Sequence, residues 1–164
     1  MKHFTAESLE NLVLGRDEEY ETFYSSYILK RLPVSFVTKY EKLYRMHDWY
    51  FDDLLVANSG KAIKEYSRNQ EETVQLGFYS ADERYVVYAY KNVTSLELSF
   101  EKTDDVSCIS LNGLGTCRSN KFDIADKKAL WHGYLFEGGT IELRFEKISI
   151  HQIRNPSPIK IRNL

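Results

Sequence analysis

The spacing of apolar residues changes near Met46, and this change constrains the fold more than any other feature of the sequence. Before Met46, apolar residues such as Tyr20, Phe23 and Tyr24 recur every three or four positions, which places them on one face of a helix. After Met46, apolar and polar residues tend to alternate, as they do in strands with one buried face. Helices and strands in separate parts of the chain favour an α+β fold over a parallel α/β fold.

Two or three helices are expected in residues 1–46. A first helix is predicted over residues 6–14, and Asp17 is placed to cap a second, because its side-chain oxygen can accept a bond from a free backbone N–H. Pro33 ends the second helix, since proline has no N–H to donate. A third helix is expected over residues 35–45.

Residues 47–153 are predicted to form a mainly antiparallel sheet, curled or paired into a sandwich, and residues 154–164 an extended tail; we treat all 164 residues as one domain. Beyond Phe145 the apolar positions change parity, so a bulge or bend is expected near Glu146. The expected strands are 49–58 paired with 61–66, then 74–78, 85–90 and 96–100, and finally 129–137 paired with 140–153.

Glycine-containing pairs predict two further hairpin turns. Gly138-Gly139 as a turn sets Phe136 opposite Ile141, Tyr134 opposite Leu143 and His132 opposite Phe145, all on one apolar side. Asn112-Gly113 is the strongest short signal for a type I′ turn, in which both central residues have positive φ. That turn brings Cys108 directly opposite Cys117.

The cysteine pair leaves three interpretations open. Packed free thiols are expected in a reducing cytosol. A disulfide between Cys108 and Cys117 is geometrically possible, although it would be strained and easily reduced. A zinc centre needs more ligands than the 2 cysteines of the chain provide, and no metal site is predicted.

A second group of polar residues surrounds the junction between helices and strands. His47-Asp48, with Asp52 and Asp53, could hold Mg²⁺ in a hydrolase, but a His and an Asp at such a junction more often bond to the local backbone. His132 is expected to be a buried, hydrogen-bonded structural residue, with a pH-sensitive site as the second interpretation. No complete catalytic set, phosphate-binding loop or cofactor motif is recognised, so no catalytic residue is assigned and no cofactor is predicted.

Composition argues against two classes of partner. The 22 basic and 24 acidic residues leave a net charge of −2, so the basic excess of a general nucleic-acid binder is missing, and binding of single strands on sheet aromatics is disfavoured. The longest apolar runs are too short to span a membrane, and without a recognised secretory signal a cytoplasmic location is expected. The 12 tyrosines suggest either rings at the margin of the core or a contact surface for another protein.

Four short segments resemble a bacterial family described as domain of unknown function 4085: residues 1–5, Leu32-Pro33, His47-Asp48 and residues 141–150. The resemblance implies a helical part followed by a β-rich part and brings no activity. By analogy, some small sheet-rich bacterial proteins are immunity partners of toxins. The function expected here is a non-enzymatic protein-interaction domain, and the analogy suggests an immunity-protein-like role for it. The alternative is a small metal-dependent hydrolase or ligand-binding protein that uses the His47/Asp48 region. The oligomeric state is left open.

Overall fold

Helical segments precede the strands in the computed structural model, which describes residues 17–58, 72–100 and 111–153. Helix α1 spans Glu18–Phe23 and continues as a π-helix, Tyr24–Ile28. Helix α2 spans Val34–Lys42 and is followed by a 3₁₀ turn, Tyr44–Met46. The first helix and the tail expected from the sequence lie outside the described residues. Within the described ranges, no helix is long and apolar enough to cross a membrane.

The strands of the described residues form two four-stranded antiparallel sheets, which confirms the predicted α+β class. They are β1 (Tyr50–Asn58), β2 (Glu72–Tyr79), β3 (Tyr85–Lys91), β4 (Ser95–Phe100), β5 (Cys117–Ile124), β6 (Leu130–Phe136), β7 (Gly139–Phe145) and β8 (Lys147–Ile153). Sheet A has the order β1-β2-β3-β8, and sheet B has the order β4-β7-β6-β5.

Helix α1 begins at the predicted cap, because Asp17 Oδ1 accepts a hydrogen bond of 2.9 Å from the N–H of Tyr20. The buried residues Tyr20, Tyr24 and Ile28 then follow at intervals of four. In a regular α-helix each such interval rotates the side chain by about 40° away from the buried face. The wider turns of the π-helix oppose this drift, so the three side chains stay against the sheets.

The predicted bend at Glu146 is confirmed, and it is the point where the chain passes from sheet B to sheet A. Phe145 ends β7 and Ile148 lies in β8, and both side chains are buried. The segment that joins β3 to β4 bends beside it. The N–H of Glu146 donates to the carbonyl of Lys91 (3.2 Å), and the N–H of Thr94 donates to the carbonyl of Arg144 (2.9 Å). The β3–β4 and β7–β8 connections thus bend side by side, and this keeps the inner faces of the two sheets opposed.

The core between the sheets is largely aromatic. Phe78 of sheet A lies 5.5 Å from Tyr134 of sheet B between ring centroids, and Tyr90 lies 5.0 Å from Phe145. Phe36 of α2 meets rings of both sheets edge-on. Helix α2 therefore covers the interior where the edges of β8 and β5 would otherwise leave it open.

Side chains of the helices also bond to the backbone at those two edges. Lys39 Nζ donates to the carbonyl of Ile150 at 3.0 Å, and the N–H of Phe122 donates to the hydroxyl of Tyr20 at 2.7 Å. Buried or half-buried backbone groups at a sheet edge need such partners. The helical layer is thereby fixed to β8 and β5 by hydrogen bonds as well as by ring packing.

The last hairpin has the predicted inner face but not the predicted register. Tyr134 pairs with Ile141 and His132 with Leu143, so the turn is Glu137-Gly138 and every pair is shifted by two residues. A shift of two preserves the side of the sheet that each residue faces. The two glycines serve close packing instead: a Cβ on Gly138 would lie 2.0 Å from the carbonyl oxygen of Gly113.

The hairpin predicted at Asn112-Gly113 is wrong. Leu111–Leu114 form a 3₁₀ turn, and Gly113 is not in the left-handed conformation that a type I′ turn requires. Cys117 pairs with Phe136 on one side, while on the other its N–H donates to Trp49 at 2.8 Å. Both sides of the strand are occupied at this position, which leaves no room for the expected hairpin partner. Cys108 lies outside the described residues.

Two other strand predictions have a mixed outcome. Strand β1 pairs with β2, with Val56 opposite Val74, whereas the partner expected at residues 61–66 lies outside the described residues. Strand β4 forms as predicted, but its expected buried face is incomplete, because Leu98 is 39% exposed. β4 pairs only with β7 among the described strands, so it receives less cover than an inner strand.

The glycine contacts predict a destabilising effect for one alanine substitution and a nearly neutral effect for another. Gly138→Ala should lower the free energy of unfolding by about 1–3 kcal/mol, because the new Cβ would collide with backbone atoms of Gly113. Gly113→Ala is the matched control, since a Cβ there meets no heavy atom within 4 Å, and its effect should stay within about 0.5 kcal/mol. Urea denaturation of both variants measures the difference. A neutral Gly138→Ala would contradict the close packing of these two turns.

Candidate functional site

The connection between α2 and β1 has an unusual backbone conformation. Tyr44, Arg45, Met46 and Asp48 have φ angles of 53°, 51°, 64° and 64°. Left-handed conformations cost residues with a Cβ roughly 1–2 kcal/mol each. Backbone strain of this kind persists only where surrounding contacts compensate for it, and it is frequent at functional sites.

Four contacts of Arg45 compensate for the strain. Its guanidinium group pairs with Glu21 at 2.5 Å and with Glu41 at 3.1 Å. The same group lies 4.8 Å from the ring centroid of Tyr24, within cation–π distance. Its carbonyl oxygen accepts a hydrogen bond of 2.5 Å from Asn120 Nδ2 in strand β5.

Asn120 is buried and is the centre of a hydrogen-bond network in the core. A carbonyl oxygen can only accept, so the bond to Arg45 identifies the Asn120 nitrogen, and its Oδ1 faces Tyr40 and His132. The hydroxyl of Tyr40 donates to Oδ1 at 2.5 Å, and His132 Nε2 lies 2.8 Å from it. His132 Nε2 must therefore carry the hydrogen.

The network continues from His132 into sheet A. Complete burial lowers the pKa of His132 well below its usual value, so the ring is neutral and Nδ1 accepts. The hydroxyl of Tyr90 donates to Nδ1 at 2.8 Å, and the hydroxyl of Tyr134 in turn donates to Tyr90. His132 has the buried, hydrogen-bonded setting that its structural interpretation describes, and it stands apart from His47 and Asp48.

An open cleft of about 370 Å³ lies beside the strained connection, and we call it the tyrosine cleft. Its lining residues are His47, Asp48, Tyr50, Ala81, Thr116, Arg118 and Glu137. The backbone brings two of its walls together: Tyr50 forms an antiparallel bridge with Thr116, and the N–H of Phe51 donates to Gly115 at 3.0 Å. Bridged residues project to the same side, so Tyr50 and Thr116 share the cleft.

Two carboxylates of the tyrosine cleft are held by neighbouring groups. Asp48 Oδ2 lies 2.9 Å from His47 Nδ1. Glu137 Oε2 accepts hydrogen bonds from both the hydroxyl (3.2 Å) and the N–H (3.3 Å) of Thr116. Each carboxylate thus has a defined orientation while it remains exposed to solvent.

A stacked pair of tyrosines borders the same cleft. Tyr50 and Tyr79 are directly opposite each other on β1 and β2, and their rings stack with centroids 5.1 Å apart and planes 13° apart. They are nevertheless 38% and 41% exposed. The turn after Tyr79 is held by Arg84, which pairs with Asp82 at 2.9 Å and lies 5.2 Å from the Trp49 ring. The turn next to the two rings is therefore held in a defined conformation by these contacts.

The four residues that the alternative hypothesis groups around Mg²⁺ do not share one cleft. A β-bulge after Phe51 changes the register of β1, and Asp52 accepts a hydrogen bond of 3.0 Å from Tyr85. Asp53 lines a different cleft, of about 340 Å³, with Gly77 and Tyr85, whereas His47 lies in the tyrosine cleft. Across residues 17–58, 72–100 and 111–153, no three His, Cys, Asp or Glu side chains are grouped to hold a metal.

Sequence reasoning missed most of the tyrosine cleft. Tyr50, Tyr79, Thr116 and Glu137 come from four separate parts of the chain, and only strand register brings them together. The tyrosine content hinted at a contact surface, but it did not distinguish exposed from buried rings. His47 and Asp48 were found because they adjoin the helix-to-strand boundary.

Burial of a neutral histidine predicts a pH dependence of stability. The folded-state pKa of His132 is below that of the unfolded chain, so the unfolded state binds the extra proton. The stabilisation is fully present above pH ~6.5 and declines by about 1.4 kcal/mol per pH unit as the pH falls toward the folded-state value. His132→Gln should be less stable at pH 8 but lose less stability between pH 6.5 and 5. Urea denaturation at several pH values tests this, and parallel profiles would contradict it.

Cys117 should be unreactive in the folded protein. It is a fully buried free cysteine, and this burial raises the pKa of its thiol to about 12. At pH 8 the thiolate fraction is then on the order of 10⁻⁴. Iodoacetamide should leave Cys117 unmodified in buffer and modify it in concentrated urea, as read by peptide mass spectrometry. Rapid labelling of the native protein at Cys117 would contradict this placement.

Comparisons with protein-family models, curated proteins and solved structures found no match to this chain. The resemblance to domain of unknown function 4085 therefore stays a prediction. The functional assignment of the tyrosine cleft rests on the geometry of this chain alone.

Proposed function

We propose that this protein is a non-enzymatic interaction domain that binds a partner protein through the tyrosine cleft. The observation that carries the proposal is the exposed, stacked pair of Tyr50 and Tyr79 at the border of that cleft. Tyrosine is enriched where proteins meet, because its ring offers a large apolar contact area and its hydroxyl a hydrogen bond.

The stacking of the two rings favours binding further. A side chain that is already ordered before association loses little conformational entropy when the partner arrives. Tyr50 and Tyr79 limit each other's rotamers, and the bridge to Thr116 fixes the backbone beneath Tyr50. The cleft thus presents a pre-organised aromatic surface.

Polar groups around the rings match the usual anatomy of an interface. Protein interfaces combine a central apolar contact with a hydrated polar rim. Here the rim consists of His47, Asp48, Arg118 and Glu137, all of them solvent-exposed. The strained connection holds His47 and Asp48 at this rim, and the hydrogen bond from Asn120 to the Arg45 carbonyl supports that connection.

Substitution of the tyrosine pair should weaken partner binding about tenfold or more, the effect expected for central interface residues. The tagged full chain would first be used to capture a stoichiometric partner from a native-host lysate. Calorimetry with the purified partner would then compare the parent chain with the double variant Tyr50→Ala/Tyr79→Ala. A captured protein that arrests growth when expressed alone would place the domain among toxin-neutralising proteins.

Tyr27→Ala is the matched control, because Tyr27 is 59% exposed on the helical layer and does not line the cleft. Its affinity should stay within about twofold of the parent chain. Circular dichroism and urea denaturation would verify that all variants are folded. Failure to capture any stoichiometric partner, or equal affinity of the double variant and the control, would overturn the proposal.

A further inference from the structure

We infer that the tyrosine cleft recognises a basic segment of its partner, with an arginine side chain placed against the Tyr50/Tyr79 rings and between Asp48 and Glu137. The inference rests on the proposed function and specifies the chemistry of the partner. Charge, oxygen orientation and ring exposure support it independently.

Carboxylates outnumber cations around the cleft. The lining and the adjacent turn at residues 80–84 contain the exposed acids Asp48, Asp82, Glu83 and Glu137. They also contain Arg84, which is already paired with Asp82 and packed on Trp49, and Arg118. Four carboxylates against two arginines give this border a net negative charge, which attracts a cationic segment and repels an acidic one.

The two lining carboxylates each keep one oxygen available. Asp48 uses Oδ2 toward His47, and Glu137 uses Oε2 toward Thr116. Asp48 Oδ1 and Glu137 Oε1 accept no hydrogen bond from the described residues. Oriented carboxylate oxygens are the preferred acceptors of a guanidinium group, whose N–H donors form a planar fork.

The aromatic pair complements the same group. Tyr50 and Tyr79 stack on each other and remain about two-fifths exposed, so ring surface is accessible to a partner. A guanidinium group is planar and weakly hydrated, and it packs on aromatic rings more readily than the ammonium group of lysine. Among the described residues this contact occurs twice, as Arg84 on Trp49 and Arg45 on Tyr24.

The experiment is an NMR titration of the ¹⁵N-labelled full chain with a blocked synthetic peptide, Ser-Gly-Arg-Gly-Ser. A second peptide carries citrulline in place of arginine, which keeps the shape and removes the charge. The arginine peptide should produce saturable shifts at residues 47–50, 79–82, 115–118 and 137. The citrulline peptide should bind about threefold or more weakly.

Charge variants should move the affinity in opposite directions. Asp48→Asn and Glu137→Gln should each weaken binding of the arginine peptide about threefold, and Arg118→Ala should strengthen it about twofold. Glu146→Gln is the control, because Glu146 is an exposed acid at the corner between the sheets and does not line the cleft. Raising the salt concentration should weaken binding to the parent chain.

Several results would overturn the inference: no saturable shift, shifts outside the cleft, equal binding of the citrulline peptide, or no effect of Asp48→Asn and Glu137→Gln. The partner complex separates this failure from failure of the proposed function. If Tyr50→Ala/Tyr79→Ala weakens that complex while Asp48→Asn and Glu137→Gln leave it unchanged, the basic-segment inference fails and the interaction domain stands. If the tyrosine substitutions also have no effect, both fail.

Discussion

The side chain of Asn120 links the helical layer to both sheets through the interior of the protein. It bonds to Tyr40 and to the carbonyl of Arg45 on the helical side, and through His132 it reaches Tyr90 in the opposite sheet. A buried polar group without a partner costs about 1–3 kcal/mol. Since the members satisfy each other, the arrangement of helices and sheets that completes the network is favoured over arrangements that break it.

The same amide connects the core to the surface where binding is proposed. Its bond to the Arg45 carbonyl supports a left-handed connection that residues with a Cβ adopt at a cost. That connection positions His47 and Asp48, and the chain then enters β1 through the bridge between Tyr50 and Thr116. The form of the tyrosine cleft therefore depends on hydrogen bonds of Asn120, which involve none of the side chains that line the cleft.

The sequence predicted those features of the fold that local chemistry determines. The Asp17 cap follows from one side chain and its adjacent N–H groups, and the bend at Glu146 follows from a change of parity within one strand. The turns at Gly113 and Gly138 were predicted wrongly because these glycines pack against each other across the fold. Glycine permits both a positive φ and a close backbone approach, and sequence alone does not separate the two uses.

The candidate site was less predictable than the fold for the same reason. His47 and Asp48 adjoin a boundary that periodicity reveals, but Glu137 lies near them only because of how the strands of the two sheets are arranged. Asp52 and Asp53 were grouped with them by proximity in sequence. The β-bulge after Phe51 changes the register there, and the two carboxylates lie near Tyr85 instead. To predict a site whose residues are brought together by strand pairing, the order and register of the strands must be known. The spacing of residues in the sequence does not specify them.

The tyrosines show how one residue type serves both the core and the surface. They were expected mainly at the margin of the core, yet Tyr20, Tyr40, Tyr90 and Tyr134 are buried, and their hydroxyls bond within the protein. Phenylalanine would fill the same space but leave Asn120, His132 and the β5 backbone with fewer partners. These four buried tyrosines are structural donors or acceptors, whereas the buried hydroxyls of Tyr24 and Tyr88 have no hydrogen-bond partner among the described residues. The exposed pair at the cleft buries one face of each ring on the other, and the ring surface that remains accessible is available to a partner.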